Sequence, residues 1–135
     1  MIARGGWAYA GGKLGNMPSP AAKRDITAAC ERLITAVLIP KFLPEIKRET
    51  FNYPIAIYGK WHADKYRFIT RYRSDQPTAM AAEFEAPFAR LDYVPKDRFD
   101  LCYMRHTGQW HCIFECITLA EGLQHIEDGE LFHVC

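Results

Sequence analysis

No stretch of this sequence stays apolar for the roughly 20 residues that a membrane-spanning helix needs, so it offers no such helix. Residues 1–20, MIARGGWAYAGGKLGNMPSP, lack the apolar stretch of a signal peptide. Strong charge of one sign is missing too: the formal net charge is +1, which by itself points to no polyanionic partner. A zinc signature would pair CxxC with a second CxxC or with HxxxH, and the chain contains neither. Signatures of RRM, KH and helix-turn-helix modules are absent, as are internal repeats and any linker that would divide the chain.

What is present fits one domain. A chain of 135 residues, 49% hydrophobic and 24% charged, can bury a core without staples. The charge is unevenly spread. Residues 1–75 carry 13 Lys and Arg against 6 Asp and Glu (13 − 6 = +7), and residues 76–135 carry 4 against 10 (4 − 10 = −6). Such halves either present a polar interaction face or attract each other within the fold. Five cysteines, at positions 30, 102, 112, 116 and 135, give an odd count. With no secretion signal, free thiols in a reducing cytoplasm are the expectation.

Residues 1–20 hold five of the nine glycines, show no regular period and read as a flexible leader; residues 21–135 form the domain. Met17 precedes the first credible element and is a candidate translation start. Ile26, Ala29, Cys30, Leu33, Ile34, Val37 and Leu38 then follow the spacing of one helix face, with Asp25 as N-cap and Pro40 and Pro44 ending the helix in an extended connector.

From Thr50 the period becomes two. A strand carrying Phe51, Tyr53, Ile55, Ile57 and Trp61 turns at His62-Ala63-Asp64-Lys65 and returns over residues 66–73. Pairing Trp61 with Tyr66 sets Ile57 opposite Thr70 and Ile55 opposite Tyr72, and Pro54 puts the first strand at an edge. After a loop at residues 74–80, strands follow at Glu83–Val94, 99–105 and Trp110–Ile117. Thr118-Leu119-Ala120-Glu121 is a capping box opening a short helix that buries Leu119, Leu123 and Ile126 and stops at Gly129. The fold class is therefore α+β: an N-terminal helix, a five-stranded antiparallel meander and a short C-terminal helix, with the helices covering one sheet face.

The stretch GQWHCIFECITL invites a search for chemistry. Pairing Arg105 with Trp110 sets Tyr103 opposite Cys112, Leu101 opposite Phe114 and Phe99 opposite Cys116. His111 and Cys112 then point to opposite faces, and Cys112 lies roughly 13 Å from Cys116 along the strand. That separation excludes a shared zinc or a disulfide between those two, and the thiols pack as small hydrophobes. On the less apolar face Cys102 comes near His111, with Asp100 or Glu115 to orient the imidazole. This is the minimum for thiol catalysis, although no oxyanion site accompanies it.

The first hairpin carries the binding candidate. Tyr58 and Lys60 on one strand and Arg67, Arg71 and Arg73 on the next share the face opposite the apolar one, with Lys60 directly across from Arg67. Like charges so placed cost stability unless an acidic neighbour or a ligand relieves them. Tyr58 and the guanidinium groups suit base stacking and phosphate contact. Pairing with Glu83 and Glu85, or simple solvation, would equally explain these residues.

The segment PFARLDYVPKDRFDLCYMRHTGQWH resembles a bacterial family labelled domain of unknown function 3024. The likeness rests on Ala89, Tyr93-Val94, the aromatic-rich strand at residues 101–103, Met104-Arg105 and Gln109-Trp110-His111, and covers about residues 25–134. It implies the same helix–meander–helix order and a bacterial source, and makes Met104, Arg105, Trp110 and His111 the residues to test. It supplies no activity. The reading that emerges is a small cytoplasmic, non-enzymatic binding or adaptor module, without metal or cofactor, that offers Tyr58, Lys60, Arg67, Arg71 and Arg73 to nucleic acid or an acidic protein. The alternatives are an enzyme using Arg105, His111 and Cys102 on an acidic substrate, and a module that oligomerises through an exposed edge strand.

Overall fold

The computed structural model describes residues 17–43, 52–74 and 82–129. Residues 1–16 of the expected leader, the connector around Pro44, the loop with Asp75 and Pro77, and Phe132 to Cys135 lie outside the described residues.

Helix α1 spans Pro20–Leu33 and starts earlier than its apolar spacing suggests. Ser19 is the cap, accepting from the Ala22 N–H at 3.1 Å. Pro20 follows at the first helical position, where its missing N–H costs nothing. Asp25 is thus an interior residue, and the expected N-cap there is corrected. Pro40 does not end the helix either. The chain widens into a π-helical turn at Ile34–Leu38, in which the Ile39 N–H donates to the Ile34 carbonyl, and continues as α2 over Ile39–Phe42. An inserted residue of this kind lets a helix absorb a proline whose ring would otherwise meet the carbonyl four residues back.

Five antiparallel strands follow in sequence order across one sheet: β1 (Asn52–His62), β2 (Lys65–Ser74), β3 (Glu83–Val94), β4 (Arg98–Met104) and β5 (Trp110–Ile117). β1, with its Pro54, is an edge strand as expected. Trp61 pairs with Tyr66 and Ile57 with Thr70, but Ile55 is the extra residue of a bulge, so Tyr72 faces Pro54 instead. Helix α3, Leu119–Asp128, begins with the reciprocal Thr118–Glu121 capping box and ends at Gly129, whose φ of 76° suits a residue without a Cβ.

Both main helices pack on the same sheet face. Ile26, Cys30, Leu33, Ile34 and Leu38 from the N-terminal helical segment meet Ile57, Tyr66, Phe68, Ala89, Leu91, Phe99 and Leu101 from the sheet and Ile126 from α3. Trp61 ties β1 to α1 by donating its indole N–H to Thr27 Oγ1 at 2.7 Å. Gly122 brings α3 so close to the sheet that a Cβ there would lie 2.9 Å from Leu91 Cδ2. The α+β order read from the sequence is the order of the fold. Among the described residues no helix is long and apolar enough to cross a membrane.

The candidate basic–aromatic sheet face

The face turned away from the helices carries one row of residues in register across all five strands. Lys60 pairs with Arg67, Arg67 with Arg90, Arg90 with Cys102 and Cys102 with Cys112. Three cations therefore stand side by side and end at a pair of cysteines. The alternation along β3 alone does not align Arg90 with Arg67. A bulge at Phe88, between the Phe68–Ala89 and Ile69–Pro87 pairs, shifts the parity of the strand and brings them together.

The cations are not equally compensated. Arg90 is held by Asp92 through two hydrogen bonds, 2.6 Å from Nε and 2.9 Å from Nη2, and both side chains are largely buried. Arg71 donates to Glu85 at 3.2 Å, and the Tyr58 hydroxyl donates to the same carboxylate oxygen. These bonds, the tyrosine's first, hold the Glu85 carboxyl below its ordinary range; hydrogen bonding to Glu85 raises Arg71. Arg73 faces Glu83 in the register. Opposite charges in the two halves of the sequence thus meet between β2 and β3. Lys60 and Arg67 take no part in the ion pairs Lys65–Asp64, Arg71–Glu85 and Arg90–Asp92. Arg67 is half-buried, and its Nε is buried without a hydrogen-bond partner.

Trp110 completes the face. Its ring lies 4.7 Å from the Arg90 guanidinium carbon and 6.0 Å from that of Arg67. The Arg71 guanidinium similarly lies 5.3 Å over the Tyr58 ring. Cation–aromatic pairs of this kind attract the guanidinium groups to the ring faces.

The β4–β5 pairing differs from the register read in the sequence. Trp110 stands opposite Met104, not Arg105, and His111 opposite Tyr103, so Cys112 falls opposite Cys102. Ile113 is an extra residue between the Cys102–Cys112 and Leu101–Phe114 pairs. A second extra residue lies below it, where Cys116 adopts φ 53° and donates its N–H to Asp100 Oδ1 at 3.0 Å. The hairpin turn sets the offset: the Arg105 N–H bonds the Gln109 carbonyl, placing Arg105 in the loop. Three expectations are corrected as a result. Cys112 lies with Trp110 on the basic face and does not pack in the core as a small hydrophobe. Cys102 and His111 lie on opposite faces, since His111 rests edge-on against Tyr103 at 5.6 Å while Cys102 meets Cys112. And Cys102 and Cys112 are joined in a disulfide instead of being free thiols.

Asp92, Cys102 and Cys112 offer three donor atoms within 4.8 Å of one another, a spacing that could close on a metal ion. Arg90 Nη2 already sits among them, donating to Asp92 at 2.9 Å and lying 3.7 and 3.9 Å from the two sulfurs. A guanidinium in that place repels a second cation. Of the residues singled out in the sequence, Tyr58, Lys60, Arg67, Arg71, Arg73 and Trp110 share this face. Met104 is half-buried opposite Trp110, and Arg105 and His111 are exposed at the hairpin end. Arg90 and Asp92 carry no signal of their own in the sequence, because only the bulge places them.

A helix-backed five-stranded meander with a basic–aromatic outer face defines a small α+β sheet domain. Residues 17–133 match the family model described as domain of unknown function (DUF3024), and the chain belongs to that family. No curated protein and no solved structure matches the chain.

Proposed function

We propose that this domain is a non-enzymatic binding module whose outer sheet face holds single-stranded nucleic acid. The observation that carries the reading is the centre of the row: Lys60 stands directly beside Arg67 and next to it lies the Trp110 ring, while Glu85, the carboxylate whose charge acts on Lys60, is already bonded to Tyr58 and Arg71. Like charges opposed in a sheet cost about 0.2–1 kcal/mol. A phosphate shared by Lys60 and Arg67 offsets that cost. Trp110 and the Tyr58–Arg71 pair then provide surfaces on which unpaired bases stack. Stacking on those rings needs bases freed from a duplex, which favours single strands.

Anisotropy of labelled single- and double-stranded DNA and RNA, at about 50 and 200 mM salt, tests this. With about two phosphate contacts, at Lys60 and Arg67, the salt slope for a single strand is about −1.4, so affinity falls roughly sevenfold over that range. Arg67→Ala flattens the slope by about 0.7, and Trp110→Ala costs about 1–3 kcal/mol. Absence of binding at low salt removes nucleic acid as the partner and turns attention to an acidic protein on the same face.

A further inference from the structure

We propose that Cys102 and Cys112 form a reversible thiol–disulfide exchange site whose co-reactant is a low-molecular-weight disulfide of the glutathione type. This goes beyond the nucleic-acid reading and does not depend on it.

Three observations carry the proposal. The two cysteines stand directly opposite each other on neighbouring strands and are bonded. They differ in access: Cys112 is exposed, whereas Cys102 has no solvent exposure at all. A reagent in solution therefore reaches the pair through Cys112, and Cys102 acts only within the protein. The third is Arg90, whose Nη2 lies 3.7 Å from the Cys102 sulfur and 3.9 Å from that of Cys112. A guanidinium beside both sulfurs stabilises the thiolate form that exchange requires. Asp92, with an oxygen 3.9 Å from the Cys102 sulfur, tempers that field and keeps Arg90 in place.

The position also suits a reversible bond better than a staple. The bond spans a separation of only 10 residues, across a hairpin already closed by its strand ladder and by the Arg105–Gln109 hydrogen bond. A cross-link there constrains little of the unfolded chain compared with one closing a long loop. Breaking it leaves the strands paired.

The exchange balances as follows. The Cys112 thiolate attacks one sulfur of the small disulfide, forming a mixed disulfide and expelling one small thiolate. Cys102, deprotonated beside Arg90, attacks the Cys112 sulfur and expels the second. Two protein thiols are oxidised, one small disulfide is reduced to two thiols, and the two protein-derived protons end on them. Reduction runs through the same steps in reverse, with the small thiol entering at Cys112.

The test equilibrates the full chain in buffers of graded reduced-to-oxidised glutathione, then quenches in acid and alkylates in denaturant. After trypsin, Cys102 falls in the peptide of residues 99–105 and Cys112 in that of residues 106–135. Cys102 and Cys112 are expected to lose their alkylation together as oxidised glutathione rises, and to regain it as reduced glutathione rises. Cys30, buried in the core with its thiol pushed up to about 12 by burial and by the charge of Glu31, stays reduced throughout and reports intact folding. Cys102→Ser is expected to leave Cys112 carrying one glutathione, with Cys102→Ala giving the same adduct should the serine variant fail to fold. The proposal is overturned if both thiols stay alkylatable at the most oxidising ratio, if the bond survives the most reducing one, or if Cys112 pairs with Cys116 instead.

Discussion

The ring of Tyr66 occupies the space in which a side chain at Gly59 would stand, and this contact decides the residue type at position 59. A Cβ there would overlap the Tyr66 ring and hydroxyl, and that ring is fully buried between Trp61 and Phe68 with no room to withdraw. Gly59→Ala is therefore expected to destabilise the domain by about 1–3 kcal/mol, as overpacking of a core does, read as a lower midpoint in urea with an unchanged slope. At this scale the sequence was readable where one residue type has one use. Thr118, Glu121 and Gly129 mark the ends of α3 through chemistry that operates within a few residues. Ser19-Pro20 carries an equally local signal, a cap followed by a first-position proline. It was masked by the glycine-rich composition ahead of it.

At the scale of elements, periodicity recovers the strands and both main helices, because burial of one face imposes the period on the residues themselves. It does not recover the bulges at Ile55, Phe88, Ile113 and Cys116, since a single extra residue leaves local composition unchanged while it turns the rest of the strand over. That is why Trp110, Cys112 and Arg90 were placed only by the structure, and why the Cys102–His111 couple dissolves. Two expectations belong here. Lys60→Gln removes a cation facing Arg67 together with its weaker attraction to Glu85, so chemical denaturation should show a net gain well under about 1 kcal/mol while oligonucleotide affinity falls. A stabilised variant with undiminished binding would contradict the role of Lys60. Thr118→Ala should cost about 1 kcal/mol through the loss of the α3 cap. Bonds from Thr118 hold the Glu121 carboxyl below its ordinary value of 4.5. Its support for the helix is thus present above that value and lost as pH falls through the lower folded one. Far-ultraviolet circular dichroism on acidification should show this loss in the wild type and little of it in Glu121→Gln, whose amide does not titrate, whereas Thr118→Ala keeps the backbone N–H that bonds Glu121 and most of the pH dependence with it.

For the whole molecule, the meander turns charge segregated along the sequence into neighbours across a sheet. The basic β2 lies beside the acidic start of β3, so much of the asymmetry between the halves is spent on Arg71–Glu85 and its neighbours. What survives is local: Lys60 and Arg67, flanked by Trp110 and by an Arg90 already matched to Asp92. The helices take the opposite face for the core, leaving this one to carry the polar row. Family membership strengthens the fold and adds no activity, so the functional claim rests on that row.

The most direct test is an amide and indole N–H chemical-shift titration of the isotopically labelled chain with a short single-stranded oligonucleotide at low salt. The account predicts shifts concentrated at Lys60, Arg67, Arg90 and the Trp110 indole, with α1 unmoved and the changes reversed by salt. Shifts confined to the helical side around Trp61 and Thr27, or no shifts at all, would contradict it.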